Sequence, residues 1–166
     1  MKIFCVSGVT KSGKTTTIEK IIGELKKRGY SVASVKDIHA EKFDFDTPGT
    51  NTWRHMAAGS EVVVGRGFDK TVVMIPERLE IADLLRWFHH DFVVIEGARE
   101  EPFPKILTAR TMLEIEERID GSVFAVSGVV SGQNIEIDGV PVINALTNIE
   151  ELTDIIVSSV PEAGIV

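Results

Sequence analysis

The eight residues Gly8-Val9-Thr10-Lys11-Ser12-Gly13-Lys14-Thr15 constrain this chain more than any other stretch. They fit G-x-x-x-x-G-K-[ST], a loop whose backbone wraps phosphate. The apolar run at residues 3–6 ahead of it suits a buried strand, and Ile18, Ile21, Ile22 and Leu25 behind it recur at helical spacing. A loop between a strand and a helix turns successive backbone N–H groups toward an anion, at the positive end of the helix dipole. Gly8 and Gly13 let the backbone approach closely, Ser12 and Lys11 lie within the loop, Lys14 is placed for the β and γ phosphates, and Thr15 offers a hydroxyl to Mg²⁺. Chance alone would produce the pattern in roughly one chain of this length in two hundred. The strand and helix on either side make the phosphate reading stronger than that figure.

At 166 residues the chain is most simply one domain, and a hydrophobic fraction of 43 % supports a buried core. A net charge of -7 argues against general affinity for nucleic acid or an anionic membrane, so anion binding has to be local. The lone cysteine, Cys5, falls in the first strand and reads as a small buried hydrophobe. Nothing at the N-terminus resembles a signal peptide and no stretch is long enough to span a bilayer, which points to the cytoplasm.

Residues 16–28 read as an amphipathic helix capped by Gly29, and residues 31–36 as a second strand. Residues 37–50 carry neither period and read as a long loop, followed by a short helix at 53–58 capped by Asn51 or Thr52. Val62 to Val64 and Thr71 to Ile75 suggest a hairpin, and residues 77–89 a helix with Leu79, Ala82, Leu85 and Trp87 or Phe88 on its apolar face. His89 and His90 are adjacent and point in different directions, a poor start for a metal site.

Phe92 to Ile95 form an apolar run typical of an interior parallel strand, with Glu96 at its carboxyl end. Ligands of open α/β sheets bind at that edge, so Glu96 is expected to hold a Mg²⁺-bound water or to orient water at the γ phosphate. Arg99, Lys105 and Arg110 read equally as contacts to an anionic ligand or as surface charges. A strand near Lys105, a short helix at 112–118, a strand at 123–126, a small hairpin turning at Asp138-Gly139, a brief strand at Val142-Ile143 and a final helix at 149–157 complete the order. Asn148 and Glu151 make a capping-box pattern ahead of that last helix. The expected architecture is therefore α/β: three layers, a mostly parallel central sheet flanked by helices, with an added β-hairpin.

Phe43-Asp44-Phe45-Asp46-Thr47-Pro48-Gly49, then Trp53-Arg54 and Ala57-Ala58-Gly59, resembles the F-D-x-D-x-P-G-K-D-S-x-R-x-x-x-A-G-A block of the MobB family of molybdopterin-guanine dinucleotide biosynthesis adaptors. Glu96-Gly97 and Pro104-Lys105-Ile106 are similar to that family's E-G-F-K and P-K-I segments. The resemblance implies a cytoplasmic, homodimeric P-loop protein that binds GTP with Mg²⁺, hydrolyses it slowly, and serves the MobA-like nucleotidyltransferase that attaches GMP to molybdopterin. By position it implies phosphate contacts from Gly8 through Thr16, metal or switch roles for Asp44 and Asp46 beside Thr15 and Glu96, and catalytic roles for Lys14 and Glu96. Arg54, Arg99 and Lys105 follow as contacts to substrate or anion.

Thr50 and Asn51 stand where the family commonly has Lys and Asp, and Asp37 where a histidine is usual. The N-K-x-D base-reading motif is missing, since Asn144 is followed by Ala145-Leu146-Thr147, so GTP follows from the family and ATP stays open. Two other functions compete. A small-molecule kinase or a ligase similar to dethiobiotin synthetase would share the loop and Glu96-Gly97-Ala98, but Arg99-Glu100 replaces the expected glycine pair. A nickel-type metallochaperone would need a Cys or His cluster, and Cys5, His39, His55, His89 and His90 are scattered.

Overall fold

The computed structural model describes residues 1–40, 43–133, 137 and 139–164. Their contacts gather into two compact units, Met1–Asp37 with Phe88–Val166, and Ile38–Trp87.

The first unit is built on a five-stranded sheet, ordered β2-β5-β1-β6-β7, from β1 (Lys2–Gly8), β2 (Val32–Lys36), β5 (Phe92–Glu96), β6 (Lys105–Thr108) and β7 (Val123–Ser127). Every pairing is parallel, as the unbroken apolar runs in β1 and β5 require of strands buried on both faces. Register sets Lys36 and Val6 on either side of Glu96, so three strands end together at one edge. On one face, Phe4, Val6, Phe92, Val94, Ile106 and Ala125 pack with Ile21 and Leu25 of α1 (Lys14–Lys27) and with Leu152 and Ile156 of α5 (Ile149–Ser159). Each of those four helix side chains is fully buried, which contributes about 1.5–3 kcal/mol apiece. Residues one step along β6 and β7, Leu107 and Val126, face the other way and meet Ile115 of α4 (Met112–Glu116) and Val130.

α1 stops as its sequence suggests. Gly29 takes φ +88°, its N–H donates to Lys26 O, and the N–H of Tyr30 reaches back to Leu25 O, the two bonds of a Schellman ending. The carboxylate of Glu24, buried between α1 and α5, accepts from Arg28 and Lys27, which themselves bridge to Asp154 and Glu150. Cys5 is fully buried, and burial pushes its thiol up to about 12. Among the described residues no helix is long and apolar enough to cross a membrane.

In the second unit, α2 (Asn51–Ala57) precedes a two-stranded antiparallel sheet of β3 (Val63–Arg66) and β4 (Thr71–Met74), followed by α3 (Ile81–Leu85). The hairpin forms as its β-branched runs require.

Five details depart from the sequence reading. The cap of α2 is Thr50, whose Oγ1 accepts from Trp53 N, in place of Asn51 or Thr52. The helix expected over 77–89 shrinks to α3, where Ile81 and Leu85 are the buried pair and Trp87 is exposed, so one helical turn carries the apolar contact. Residues Val129–Gly132 form a 3-10 turn that ties back to the sheet edge through Val130 N to Ala109 O; the Asp138 half of the expected hairpin turn lies outside the described residues. The brief strand at Val142-Ile143 is reduced to a single parallel bridge from Val142 to Val126. Asn148 and Glu151 bond each other side chain to side chain at 3.4 Å, so neither completes the capping box on the backbone of α5.

Candidate functional site

Residues 8–15 leave the carboxyl end of β1, the middle strand, and run straight into α1, so the loop sits at the sheet edge where ligands of such folds bind. Its shape depends on positions that exclude a side chain. A Cβ on Gly8, at φ +142°, would lie 2.0 Å from Thr108 O, and one on Gly128 2.2 Å from Ser12 O. Gly13 adopts φ +102° ahead of α1, and Lys11 a left-handed φ of +62° at the exposed crown.

Beneath the crown, Ser12 is fully buried. Its Oγ lies 2.8 Å from Val9 O and 2.7 Å from Thr108 Oγ1, which is 3.0 Å from Ser7 O. Two hydroxyl protons thus serve three contacts, binding the loop to β6 from within. From the other side Val129 N donates to Ser12 O at 3.0 Å.

The ammonium of Lys14 donates to Gly8 O at 2.9 Å and Val9 O at 2.7 Å, folded over the cradle it helps to form. Burial holds it below the ordinary lysine range; Glu96 opposes that depression and Lys36 adds to it. Thr15 Oγ1 donates toward both oxygens of Glu96, at 3.1 and 3.2 Å, and Lys36 Nζ donates to Glu96 Oε1 at 2.9 Å. The first unit therefore brings Lys14, Thr15 and Glu96 together. Lys36, which carries no motif in the sequence, arrives with them through the pairing of β2 with β5.

Other sequence candidates have different surroundings. Asp44 and Asp46 belong to the second unit, where Asp44 Oδ1 accepts from Asp46 N and Asp46 Oδ1 accepts from Thr47 N and Thr50 Oγ1. The Thr50 and Thr52 hydroxyls and the Thr47 N–H keep the Asp46 carboxyl below its usual range, and its buried Oδ2 has no close hydrogen-bond partner among the described residues. Arg54 is exposed in the last turn of α2. Arg99 is exposed after β5, where its charge is one of those holding Asp120 below the usual carboxylate range, behind the larger effect of bonds from Ser122. Arg110 is paired with Glu114. Lys105 is buried, and its ammonium donates to Glu101 O, Phe103 O and Ser122 Oγ, so its donors are spent inside the fold.

Beside the first turn of α1 a pocket of about 160 Å³ opens, lined by Gly13, Thr16, Thr17, Ser127 and the segment of Asn144, Ala145 and Leu146. Its walls are largely apolar. Ser127 is fully buried, and its Oγ has no hydrogen-bond partner among the described residues.

Residues 3–131 match the family model described as MobB, molybdopterin guanine dinucleotide synthesis protein B. The chain is 34% identical over 128 residues to the molybdopterin-guanine dinucleotide biosynthesis adapter protein of Haemophilus influenzae, covering 74% of this chain and 71% of that one. Over 144 residues it is 26% identical to the probable adapter of Bacillus subtilis, covering 84% and 83% respectively. The solved structure of Bacillus subtilis MobB superposes with a TM-score of 0.80 at 23% identity, over 98% of this chain and all of that one. A MobB homologue from Bacillus stearothermophilus superposes with a TM-score of 0.72 at 20% identity, over 95% of this chain and 99% of that one.

Proposed function

The chain belongs to the MobB family, the adapter proteins of molybdopterin guanine dinucleotide biosynthesis, and from that premise we propose that it binds Mg²⁺-GTP and presents it, or a state set by it, to a molybdopterin nucleotidyltransferase of the MobA kind. The observation that carries the reading is the meeting of Thr15 and Glu96 at the foot of a loop whose lysine is already folded over the cradle.

The donor set fits the metal. A threonine hydroxyl and a carboxylate are hard oxygen ligands, the kind Mg²⁺ takes alongside phosphate oxygens and waters. Bound there, Mg²⁺ would neutralise charge between the β and γ phosphates. The chain's own groups do the rest. Backbone N–H groups of the loop orient the phosphates, and Lys14 exchanges its two carbonyl partners for phosphate oxygens, a stronger, charge-assisted pairing. Glu96 is held by Thr15 and Lys36 before nucleotide binds and would be engaged by the metal afterwards, so it is not left free as a base for an attacking water, which suits slow hydrolysis and an accessory role. Asp44 and Asp46 remain proposed contributors to metal binding through their resemblance to the family block.

The base takes the pocket beside α1, a proposal supported by that pocket's position next to Gly13 and Thr16 and by the unpartnered hydroxyl of Ser127. Guanine is assigned from the family, because the wall contributed by Asn144, Ala145 and Leu146 carries no carboxylate to pair with guanine's N1 and N2 donors. Homodimerisation is supported by Val64 and Val73, register partners on one face of the hairpin and both exposed, and a cytoplasmic setting by the pathway.

Calorimetric titration with GTP and with ATP in Mg²⁺ tests the reading. GTP is expected to bind and Lys14→Ala to abolish the heat. Absence of binding by the unaltered chain would overturn it, and binding of ATP alone would move the chain toward the kinase or ligase class.

A further inference from the structure

Lys36 closes β2 at the same level as Glu96 closes β5, and the two are register partners in a parallel pair. Its ammonium reaches Glu96 Oε1 at 2.9 Å, yet 57% of its side chain is open to solvent against 13% for Glu96. An ion pair so exposed adds little to folding, because water screens it and a long side chain must be ordered to make it. It sits, however, on the one carboxylate that also holds the Thr15 hydroxyl, and close enough to Lys14 to help depress that ammonium. A cation on Glu96 and a metal on Glu96 compete for the same oxygens.

We propose that Lys36 is a second phosphate ligand, parked on Glu96 in the nucleotide-free site and transferred to the terminal phosphate of a nucleoside triphosphate once metal takes the carboxylate. The proposal rests on the nucleotide reading above. With Mg²⁺ bound, Glu96 would be drawn to it, and the Lys36 ammonium would lose its anion while a phosphate chain lay beside it at the same sheet edge. Its four-carbon stem is flexible and three donors rotate freely on the nitrogen, so the exchange needs no movement of β2. The transfer conserves charge pairing: one carboxylate–ammonium contact is replaced by a carboxylate–metal contact and an ammonium–phosphate contact. Lys14 keeps the β phosphate as a partner in either nucleotide, whereas Lys36 meets only the outermost phosphate of a triphosphate, so the added cation makes the site distinguish triphosphate from diphosphate.

Affinities of GTP and GDP, each with Mg²⁺, measured by calorimetry for the unaltered chain, Lys36→Met and Lys36→Arg, test this. Lys36→Met is expected to weaken GTP about tenfold or more while changing GDP less than about threefold, and Lys36→Arg to restore most of the difference, as one charge-assisted bond to phosphate implies. Melting temperatures of the two variants should stay close to that of the unaltered chain, since Lys36 is mostly exposed and Glu96 keeps its bond from Thr15. An unchanged ratio of GTP to GDP affinity in Lys36→Met, or tighter Mg²⁺-GTP binding at that same ratio, would overturn the assignment and leave Lys36 as a mere occupant of Glu96. If the unaltered chain bound neither nucleotide, the nucleotide reading itself would fall and the role of Lys36 with it.

Discussion

At Gly128 an added Cβ would meet Ser12 O at 2.2 Å and Thr108 Cβ at 2.9 Å, with φ already at +85°. Backbone atoms cannot step aside as a side-chain tip can, so Gly128→Ala forces the phosphate loop and the turn after β7 apart. A strained φ alone costs on the order of 1–3 kcal/mol. The expected outcome is a lowered melting temperature together with loss of nucleotide binding, whereas Gly132→Ala, where the added methyl meets nothing within 4 Å, should change neither. Cys5 gives a second residue-scale test. Burial raises its thiol from 9.0 to about 12, so the folded state holds a proton that the unfolded chain releases. Its contribution to stability is complete below pH 9 and is lost as pH rises toward 12, at up to about 1.4 kcal/mol per pH unit. Denaturant unfolding at pH 8.5, 9.5 and 10.5 should show this slope in the difference between the unaltered chain and Cys5→Ala; parallel curves would remove the buried-thiol account. Residues differ in how legible their roles are in the sequence. Glu96 is visible because it ends an apolar run, and Gly8 because it sits in a motif. Lys36 is silent in one dimension: only the pairing of β2 with β5, which skips more than fifty positions, sets it against Glu96. Lys105 misleads for a related reason, since a lysine heading a strand looks exposed until β1 and β7 are seen to enclose it.

Helix ends show the same division between pattern and context. Asn148 with Glu151 has the spacing of a capping box, but the two side chains bond each other, and the Asn148 side chain caps none of the first N–H groups of α5. Thr50 makes the bond that Asn51 and Thr52 are equally suited to make, because the turn built on Asp46 and Thr47 presents its hydroxyl to Trp53 N. The consequence is measurable: Thr50→Ala should cost about 1 kcal/mol, and Asn148→Ala only a few tenths, by thermal or denaturant unfolding. A reversed order would mean that the caps are wrongly assigned. Helix docking contributes more than capping does. Leu152 of α5 is fully buried among Ile21, Leu25 and the sheet, so Leu152→Ala should destabilise by roughly 2–5 kcal/mol, by transfer and cavity together. The periodicity of α1 and α5 makes these two helices readable from sequence. Around α3 the same signal overextends the helix, because the sequence offers apolar residues at helical spacing that, apart from Ile81 and Leu85, find little to pack against.

At the scale of the whole molecule the sheet of β3 and β4 stands apart from the five-stranded sheet in what it leaves uncovered. Alternation puts Val62, Val64 and Val73 on one face, with Val64 directly opposite Val73 in the register, and these two are 55% and 49% exposed. On the reverse face Val63 is buried and α2 packs against β3, while Val72 of β4 is 43% exposed, so that face is covered on β3 and the Val64–Val73 face lies open on both strands. Two strands alone are marginal in water, and an apolar face with open antiparallel edges is the kind of surface natural proteins cover. A second copy of the chain is the occupant that meets this need with the fewest assumptions: an antiparallel edge or a valine face is self-complementary about a two-fold axis, and a symmetric dimer buries the same patch on both partners. The expected outcome follows directly. Sedimentation equilibrium of the unaltered chain should give a dimer, and Val64→Glu with Val73→Glu should give a monomer, because four carboxylates would then be brought together across the axis without counter-charge. Nucleotide affinity of the monomer should stay near that of the dimer, since the loop, Thr15, Glu96 and Lys36 all lie in the first unit. If the double variant remained dimeric, the valine face would be free for the nucleotidyltransferase instead, and binding of that enzyme, lost on the same substitutions, would identify it as the adapter surface.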